Sequence, residues 1–280
     1  MIEYRPMKPD DIAAGLKLCR EAKWNQLERE WQLFLQLSPN GCCVAINEGR
    51  VAGTVTTISY QHSFSWIGMV LVDAAFQRRG IGMQLLQEAM QILSEEETVK
   101  LDATPAGREV YLKLNFIDEY RLGRMSAIVV EDNLQVSGAR LIREKELPTL
   151  VKFDHEIFGA DRRLLLKWMW EGAPQFAFVV EEQNKIQGYC LGRQGHNFIH
   201  IGPVVAQNVD IAKSLVSSAL FKCGGKPVII DAMHFTKEWV NWLENIGFSE
   251  QRPFIRMYRG ANRFPGMPEK QFAILGPEFG

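Results

Sequence analysis

The residues with the clearest capacity for chemistry lie in a short loop, Gln77-Arg-Arg-Gly-Ile-Gly82, between an apolar segment and a helical pattern. Gly80 and Gly82 allow close approach to the backbone, and the first amides of a helix have no partner within it. Those amides and the helix dipole attract an anion, and Arg78 and Arg79 add charge suited to a phosphate. The loop matches neither a Walker A sequence nor the dinucleotide fingerprint. It therefore predicts a phosphate site of another kind or, alternatively, a plain turn with two solvated arginines.

Three segments together resemble one family. Gln-x-x-Gly-x-Gly after an apolar strand is similar to the acetyl-CoA motif of the GNAT superfamily of N-acetyltransferases. Tyr111-Leu-Lys-Leu-Asn-Phe116 resembles the family's Tyr-x-x-x-Gly-Phe segment. Asn115 replaces the usual Gly there, and Asn tolerates a left-handed backbone better than most residues. Residues 101–107, Leu-Asp-Ala-Thr-Pro-Ala-Gly, resemble the preceding strand and turn of one GNAT subgroup, and the whole resemblance covers residues 1–130.

The resemblance implies direct attack of a substrate amine on the thioester of acetyl-CoA. The pantetheine arm would lie along the strand Trp66–Asp73, where a backbone N–H would polarise the acetyl carbonyl. Tyr111 would protonate the departing thiolate, since a tyrosine with a pKa near ~10 is protonated at pH 7. The implied acetyl-CoA contacts are Val70, Leu71, Val72, Gln77, Arg78, Arg79, Gly80, Ile81, Gly82 and Thr104.

The general base and the acceptor pocket are chosen from position in the sequence. Asp73, at the end of the central strand, is the best-placed carboxylate for a base, with Glu28, Glu30 and His62 as alternatives. Core packing is the alternative for aromatic residues near the cleft. The residues predicted to line the acceptor pocket are Trp24, Asn25, Trp31 and Phe76.

An internal repeat sets the domain organisation. The helical stripe Ile81, Leu85, Leu86, Ala89 and Met90 recurs about 130 residues later as Ile211, Leu215, Val216, Ala219 and Leu220. Val-Lys-Leu-Asp-Ala, ending at Ala103, recurs as Val-Ile-Ile-Asp-Ala, ending at Ala232, and Arg124-Met125 recurs as Arg256-Met257. Such order favours two copies of one fold. We expect GNAT-like domains at 1–133 and 142–262, joined near 131–145, and a tail at 263–280.

The expected fold class is α/β (α+β), with a mixed, mostly antiparallel sheet flanked by helices in each copy. The main elements predicted in the first copy are a helix at 26–37, a central strand at 66–73, a helix at 80–94, a strand at 98–103, a short helix near 106–114 and two closing strands up to Val130. Continuous apolar character places the strand at 66–73 in the middle of the sheet.

The second copy has lost the residues that carry the chemistry. Gln207-Asn-Val-Asp-Ile-Ala212 replaces the first loop, so no glycine remains and Asp210 would repel a phosphate. Leu243 stands opposite Tyr111. This half, including its segment Phe158–Arg162, resembles the degenerate carboxy-terminal domain of tandem GNAT proteins. We expect it to pack on the first half and to close its acceptor cleft.

Composition excludes several classes of protein. The 280 residues are 46% hydrophobic and 23% charged with a net charge of -1, so no basic surface for nucleic acid is expected. No apolar run approaches the roughly 20 residues of a membrane span, and no secretory signal is expected at the amino terminus. Five cysteines without a Cys-x-x-Cys pair favour free thiols in the cytoplasm, and the scattered histidines predict no metal site.

The predicted function is an acetyl-CoA-dependent N-acetyltransferase that acts on a small amine or amino-acid-like acceptor. A second domain over the cleft would exclude bulky acceptors. Two alternatives stay open: a non-catalytic acyl-CoA-binding sensor or scaffold, and an acyltransferase that uses a longer acyl-CoA. The expected state is a monomer or homodimer.

Overall fold

The computed structural model describes residues 2–61, 63–128, 134 and 138–280. His62, and the part of the predicted junction between 131 and 137 other than residue 134, lie outside the described residues. No helix within the described ranges is long and apolar enough to cross a membrane.

The first half contains six strands and four helices among the residues described. Their order is β1 (Ile2–Pro6), α1 (Ile12–Glu21), α2 (Glu28–Leu37), β2 (Cys43–Asn47), β3 (Arg50–Tyr60), β4 (Phe64–Val72), α3 (Ile81–Ile92), β5 (Thr98–Ala103), α4 (Pro105–Leu112) and β6 (Ile117–Ile128). The prediction of two closing strands is wrong, because β6 is one strand of 12 residues. The strand pairs with a neighbouring strand on each of its two edges, and this pairing keeps it extended without a turn.

The second half repeats this order and ends with one additional strand. It contains β7 (Arg140–Leu141), α5 (Leu147–Phe158), α6 (Arg163–Gly172), β8 (Phe178–Glu182), β9 (Lys185–Arg193), β10 (Ile199–Ala206), α7 (Val209–Phe221), β11 (Pro227–Met233), α8 (Lys237–Asn245), β12 (Ser249–Gly260) and β13 (Gln271–Ala273). The predicted helical stripes face the core: four of the five residues in α3 and all five in α7 are buried.

A single sheet runs through both halves of the described chain. Its strand order is β1-β2-β3-β4-β5-β12-β6-β11-β13-β10-β9-β8-β7. The last strand of each repeat has crossed over, since β12 pairs with β5 while β6 pairs with β11. The predicted organisation into separate domains did not include this exchange, and it makes each half dependent on the other for its final strand.

Two buried ion pairs join the exchanged strands to their hosts. Arg256 donates to both carboxylate oxygens of Asp102 at 2.7 and 2.8 Å. Arg124 does the same to Asp231 at 2.8 and 2.8 Å. These four residues are the aspartates and arginines of the sequence repeat. Because buried charges must be paired, the repeated Asp and Arg residues favour the exchanged strand pairing.

Replacing Arg256 with methionine will test the contribution of this exchange to stability. Asp102 is fully buried, and Arg256→Met would leave its carboxylate without compensation. We expect the free energy of unfolding to fall by about 3–5 kcal/mol. The measurement is urea unfolding at pH 7 followed by circular dichroism. The matched control is Arg259→Met on the same strand, and an equal effect of the two variants would contradict the prediction.

Candidate active site

The sheet opens between β4 and β5, next to the predicted phosphate loop. The two strands pair in parallel only at Ser65–Val99 and Trp66–Lys100. Beyond that point β4 carries a bulge, where Met69 has a φ of 52° and the Thr54 hydroxyl donates to the Met69 carbonyl at 2.8 Å. A β-bulge bends its strand and ends regular pairing. The result is a cavity of about 520 Å³ beside β4.

One end of this cavity is the amino terminus of α3. Gly80 stands at the N-cap with a φ of 83° and provides no side-chain cap. Arg78 also has a positive φ, of 61°, and the Gln77 side chain donates to the Val72 carbonyl at 3.3 Å. The first amides of α3 therefore remain available to an anion.

Eight of the ten residues predicted to contact acetyl-CoA line this cavity: Val70, Val72, Gln77, Arg78, Gly80, Ile81, Gly82 and Thr104. Leu71 and Arg79 are not among the lining residues. Leu71 is buried on the other face of β4, as alternation along a strand requires. The Arg79 guanidinium lies over the Phe76 ring, 5.4 Å from its centre.

Tyr111 lines the same cavity from α4. Thr104 caps this helix by accepting a hydrogen bond from the Gly107 amide at 3.2 Å. A side chain at Gly107 would place its Cβ 3.0 Å from the Tyr111 ring, so glycine leaves room for the ring. Burial raises the pKa of Tyr111 to about 12, which keeps its hydroxyl protonated. Asn115, which follows, has a φ of 62°, the left-handed conformation expected there.

Two of the four predicted acceptor residues reach the cavity. Trp24 and Phe76 line it. Trp31 is fully buried and packs against Phe34 in the core, because α2 presents this face to the sheet. Asn25 instead joins the halves: its side-chain oxygen accepts from the Asn197 and Phe198 amides at 2.9 and 3.0 Å.

The three predicted carboxylate bases lie away from the cavity lining. Asp73 caps the short turn after β4 by accepting from the Ala75 amide at 2.8 Å, and Lys17 lies 3.8 Å away. Glu28 is bonded to Gln32 on the surface. Glu30 is buried and accepts from the Leu27 amide at 2.9 Å, and burial raises its pKa. None of these three carboxylates therefore lines the cavity with Tyr111, and the fourth candidate, His62, lies outside the described residues.

The second half contributes cavity residues that the sequence reasoning missed. Arg252 and Phe254 come from the exchanged strand β12, and Pro277 and Glu278 come from the predicted tail. Arg124 also lines the cavity, from β6. The sequence signal for the strand exchange was the repeated Asp and Arg in apolar strands, because buried charges of opposite sign pair with each other.

The tail forms one wall of the cavity. The Trp66 indole donates to the Pro277 carbonyl at 2.9 Å, and the Tyr60 hydroxyl donates to the Phe279 carbonyl at 2.6 Å. A Cβ on Gly68 would lie 2.9 Å from the Glu278 carbonyl oxygen. Glycine at 68 thus permits the tail to lie directly against β4.

The corresponding opening in the second half is filled. Strands β10 and β11 also pair in parallel at only two positions, and β13 then lies between them, bonded to both. At the start of α7, the Asn208 side chain accepts from the Ile211 amide at 3.0 Å. Asp210 adds a negative charge in the first turn. The strand and the cap together remove the space and the free amides that the first half offers.

No group of three or more metal-binding side chains occurs among the residues described. The five cysteines are all free and buried.

Comparisons with known proteins agree with this architecture. A model of the acetyltransferase (GNAT) family matches residues 11–116, and a model of the acetyltransferase (GNAT) domain matches residues 150–273. The holothin acyltransferase of Pseudoalteromonas sp. (strain SANK 73390) is 26% identical over 259 residues, which are 92% of this chain and 87% of that protein.

Solved structures give the same result over the full length. A putative acetyltransferase from Pyrococcus horikoshii superposes with a TM-score of 0.81 at 25% identity, over 100% of this chain and 96% of that one. A tandem GNAT protein from the clavulanic acid biosynthesis pathway shares the fold, with a TM-score of 0.67 at 12% identity, over 92% of this chain and 98% of that one. The chain belongs to the GNAT acetyltransferase family as a transferase with a GNAT domain in each half.

Proposed function

We propose that this enzyme is an acetyl-CoA-dependent N-acetyltransferase that acts on the amine of a small molecule. The observation that carries the proposal is one continuous cavity lined by the uncapped start of α3, the bulged strand β4 and Tyr111. A relative named for acyl transfer supports the class of reaction. Free, buried cysteines throughout the chain are consistent with a cytoplasmic enzyme.

The residues at the cavity fit the parts of acetyl-CoA. The diphosphate needs hydrogen-bond donors and positive charge, which the first amides of α3 and Arg78 offer. The pantetheine arm carries amides, which suit a strand that has lost its neighbour beyond Trp66. A cavity of about 520 Å³ lies within the range usual for ligand sites.

The thioester substrate supplies an activated carbonyl carbon. In the proposed reaction the amine nitrogen forms a bond to that carbon while the C–S bond breaks and its electron pair goes to sulfur. A backbone N–H of β4 near Val70 stabilises the developing oxyanion. Tyr111 gives its proton to the sulfur, the excess proton of the amine passes to solvent, and Tyr111 takes a proton back from solvent before the next turnover. The products are an amide and free CoA thiol.

The small acceptor is inferred from what encloses the cavity. Its walls include Trp24, Phe254 and the tail residues Pro277 and Glu278. Their positions are tied to both halves, because Trp66 holds the tail and β12 is an interior strand. A lysine on a folded protein would need a more open approach than these walls leave.

The experiment is thiol release from acetyl-CoA in the presence of a panel of small amines, repeated with butyryl-CoA and octanoyl-CoA. The proposal expects amine-dependent thiol release that is fastest with the acetyl donor. Binding of acetyl-CoA without release by any amine would assign a sensor or scaffold instead. Faster release from a longer donor would revise the acyl group, and efficient acetylation of a folded protein would contradict the small acceptor.

A further inference from the structure

Arg252 lines the cavity and has no hydrogen-bond or ion-pair partner among the described residues. Its position in β12 is directly opposite Arg124 in β6. Arg124 is neutralised by both oxygens of Asp231, whereas no carboxylate or carbonyl of the described chain pairs with Arg252. Burial and the nearby positive charge of Arg124 lower the pKa of Arg252. A half-buried guanidinium beside another one is costly, and an anion placed there would relieve that cost.

Two other side chains that line the same cavity favour a hydrogen-bond donor rather than an anion. Gln26 is buried and lines the cavity, and its side-chain oxygen has no hydrogen-bond donor among the described residues. Glu278 also lines the cavity and shares a single guanidinium, that of Arg193, with Glu30. This part of the wall favours a donor of N–H groups.

Resting on the proposed function, we infer that the acceptor is a small aminocarboxylate, an amino acid or a close analogue, whose carboxylate binds Arg252 and whose amine faces Gln26 and Glu278. The arginine fork matches both oxygens of a carboxylate. The amine donates to the unpaired oxygen of Gln26, and the apolar walls at Trp24 and Phe254 contact the rest of the acceptor. The exchanged strand β12 is thus part of substrate recognition, since it carries both Arg252 and Phe254.

The test compares amino acids with their own carboxamides as acceptors of acetyl groups from acetyl-CoA, in the wild-type enzyme and in Arg252→Met. Each pair keeps the amine and removes only the carboxylate charge. We expect kcat/KM for the best amino acid to fall about 10-fold to 100-fold in Arg252→Met, while kcat/KM for its carboxamide changes little. Arg252→Lys should recover part of the loss, because it restores charge without the fork. Arg259→Met, on the same strand and outside the cavity, is the matched control.

Several outcomes would overturn the inference. Equal losses for acid and carboxamide, or wild-type preference for carboxylate-free amines that Arg252→Met leaves unchanged, would show that Arg252 does not bind a carboxylate. A fall in acetyl-CoA affinity in Arg252→Met would assign the arginine to the donor instead. If no amine is acetylated, the proposed function fails, and calorimetric titration of the same amino acids into CoA-saturated protein then decides the carboxylate site. Binding that depends on Arg252 would support it, and no binding would overturn it.

Discussion

Tyr111→Phe should lower kcat for amine acetylation by about 10²- to 10⁴-fold, the usual contribution of a general acid. The substitution removes one hydroxyl on the cavity wall and keeps the ring that packs against Phe116, 6.0 Å away between ring centres. Acetyl-CoA affinity should therefore change little. The measurement is thiol release under saturating substrates together with calorimetric titration of acetyl-CoA.

The pH dependence gives the same test a second readout. The acid must be protonated, and burial raises the pKa of Tyr111 to about 12. A raised pKa extends the active range on the alkaline side, so ionisation of Tyr111 should cause no loss of rate up to about pH 10. Tyr258→Phe, on β12 and outside the cavity lining, is the matched control. A rate in Tyr111→Phe equal to that of the control would make Tyr111 a packing residue.

Gly82→Glu should abolish measurable acetyl-CoA binding, a loss of at least about 100-fold for removal of charge-assisted hydrogen bonds at a helix start. The backbone can accept a side chain there, because a Cβ at Gly82 would lie 3.5 Å from Val72, an ordinary contact. The added carboxylate would compete for the amides of α3 and repel the diphosphate.

The control for Gly82→Glu is Gln87→Glu, which adds the same charge on the exposed face of α3. It should bind acetyl-CoA with nearly unchanged affinity. Equal binding by both variants would move the diphosphate away from the α3 terminus.

The sequence predicted the local parts of the site because their causes are local. Gly80 adopts a positive φ and leaves the N-cap bare, and the helical spacing of buried residues placed one face of α3 against the sheet. Tyr111 followed from its spacing to Phe116. These features depend on residues that are close in the chain.

The parts that were missed depend on contacts between distant segments. Arg124 and Arg256 occupy equivalent positions in the repeat. From the sequence pattern alone, either β6 or β12 could therefore pair with β5 or with β11. Pairing of Arg256 with Asp102 across the repeat settles that choice only in three dimensions. Trp31 has the amphipathic placement of either a core or a pocket residue, and the packing of α2 decides it.

The tail shows the same limit. Gln271–Ala273 carries no strong strand signal by itself, yet it fills the opening between β10 and β11. In the second half, its insertion occupies the space that corresponds to the cavity of the first half. Further along the tail, Glu278 lines the first cavity, because the tail passes from one opening to the other.

Calorimetric titration of acetyl-CoA into the purified protein tests the central claim most directly, because it counts sites per chain. We expect one site, lost in Gly82→Glu, since Asn208 and β13 close the second opening. Two sites would contradict the assignment of the second half, and no binding would contradict an acetyl-CoA-dependent enzyme altogether.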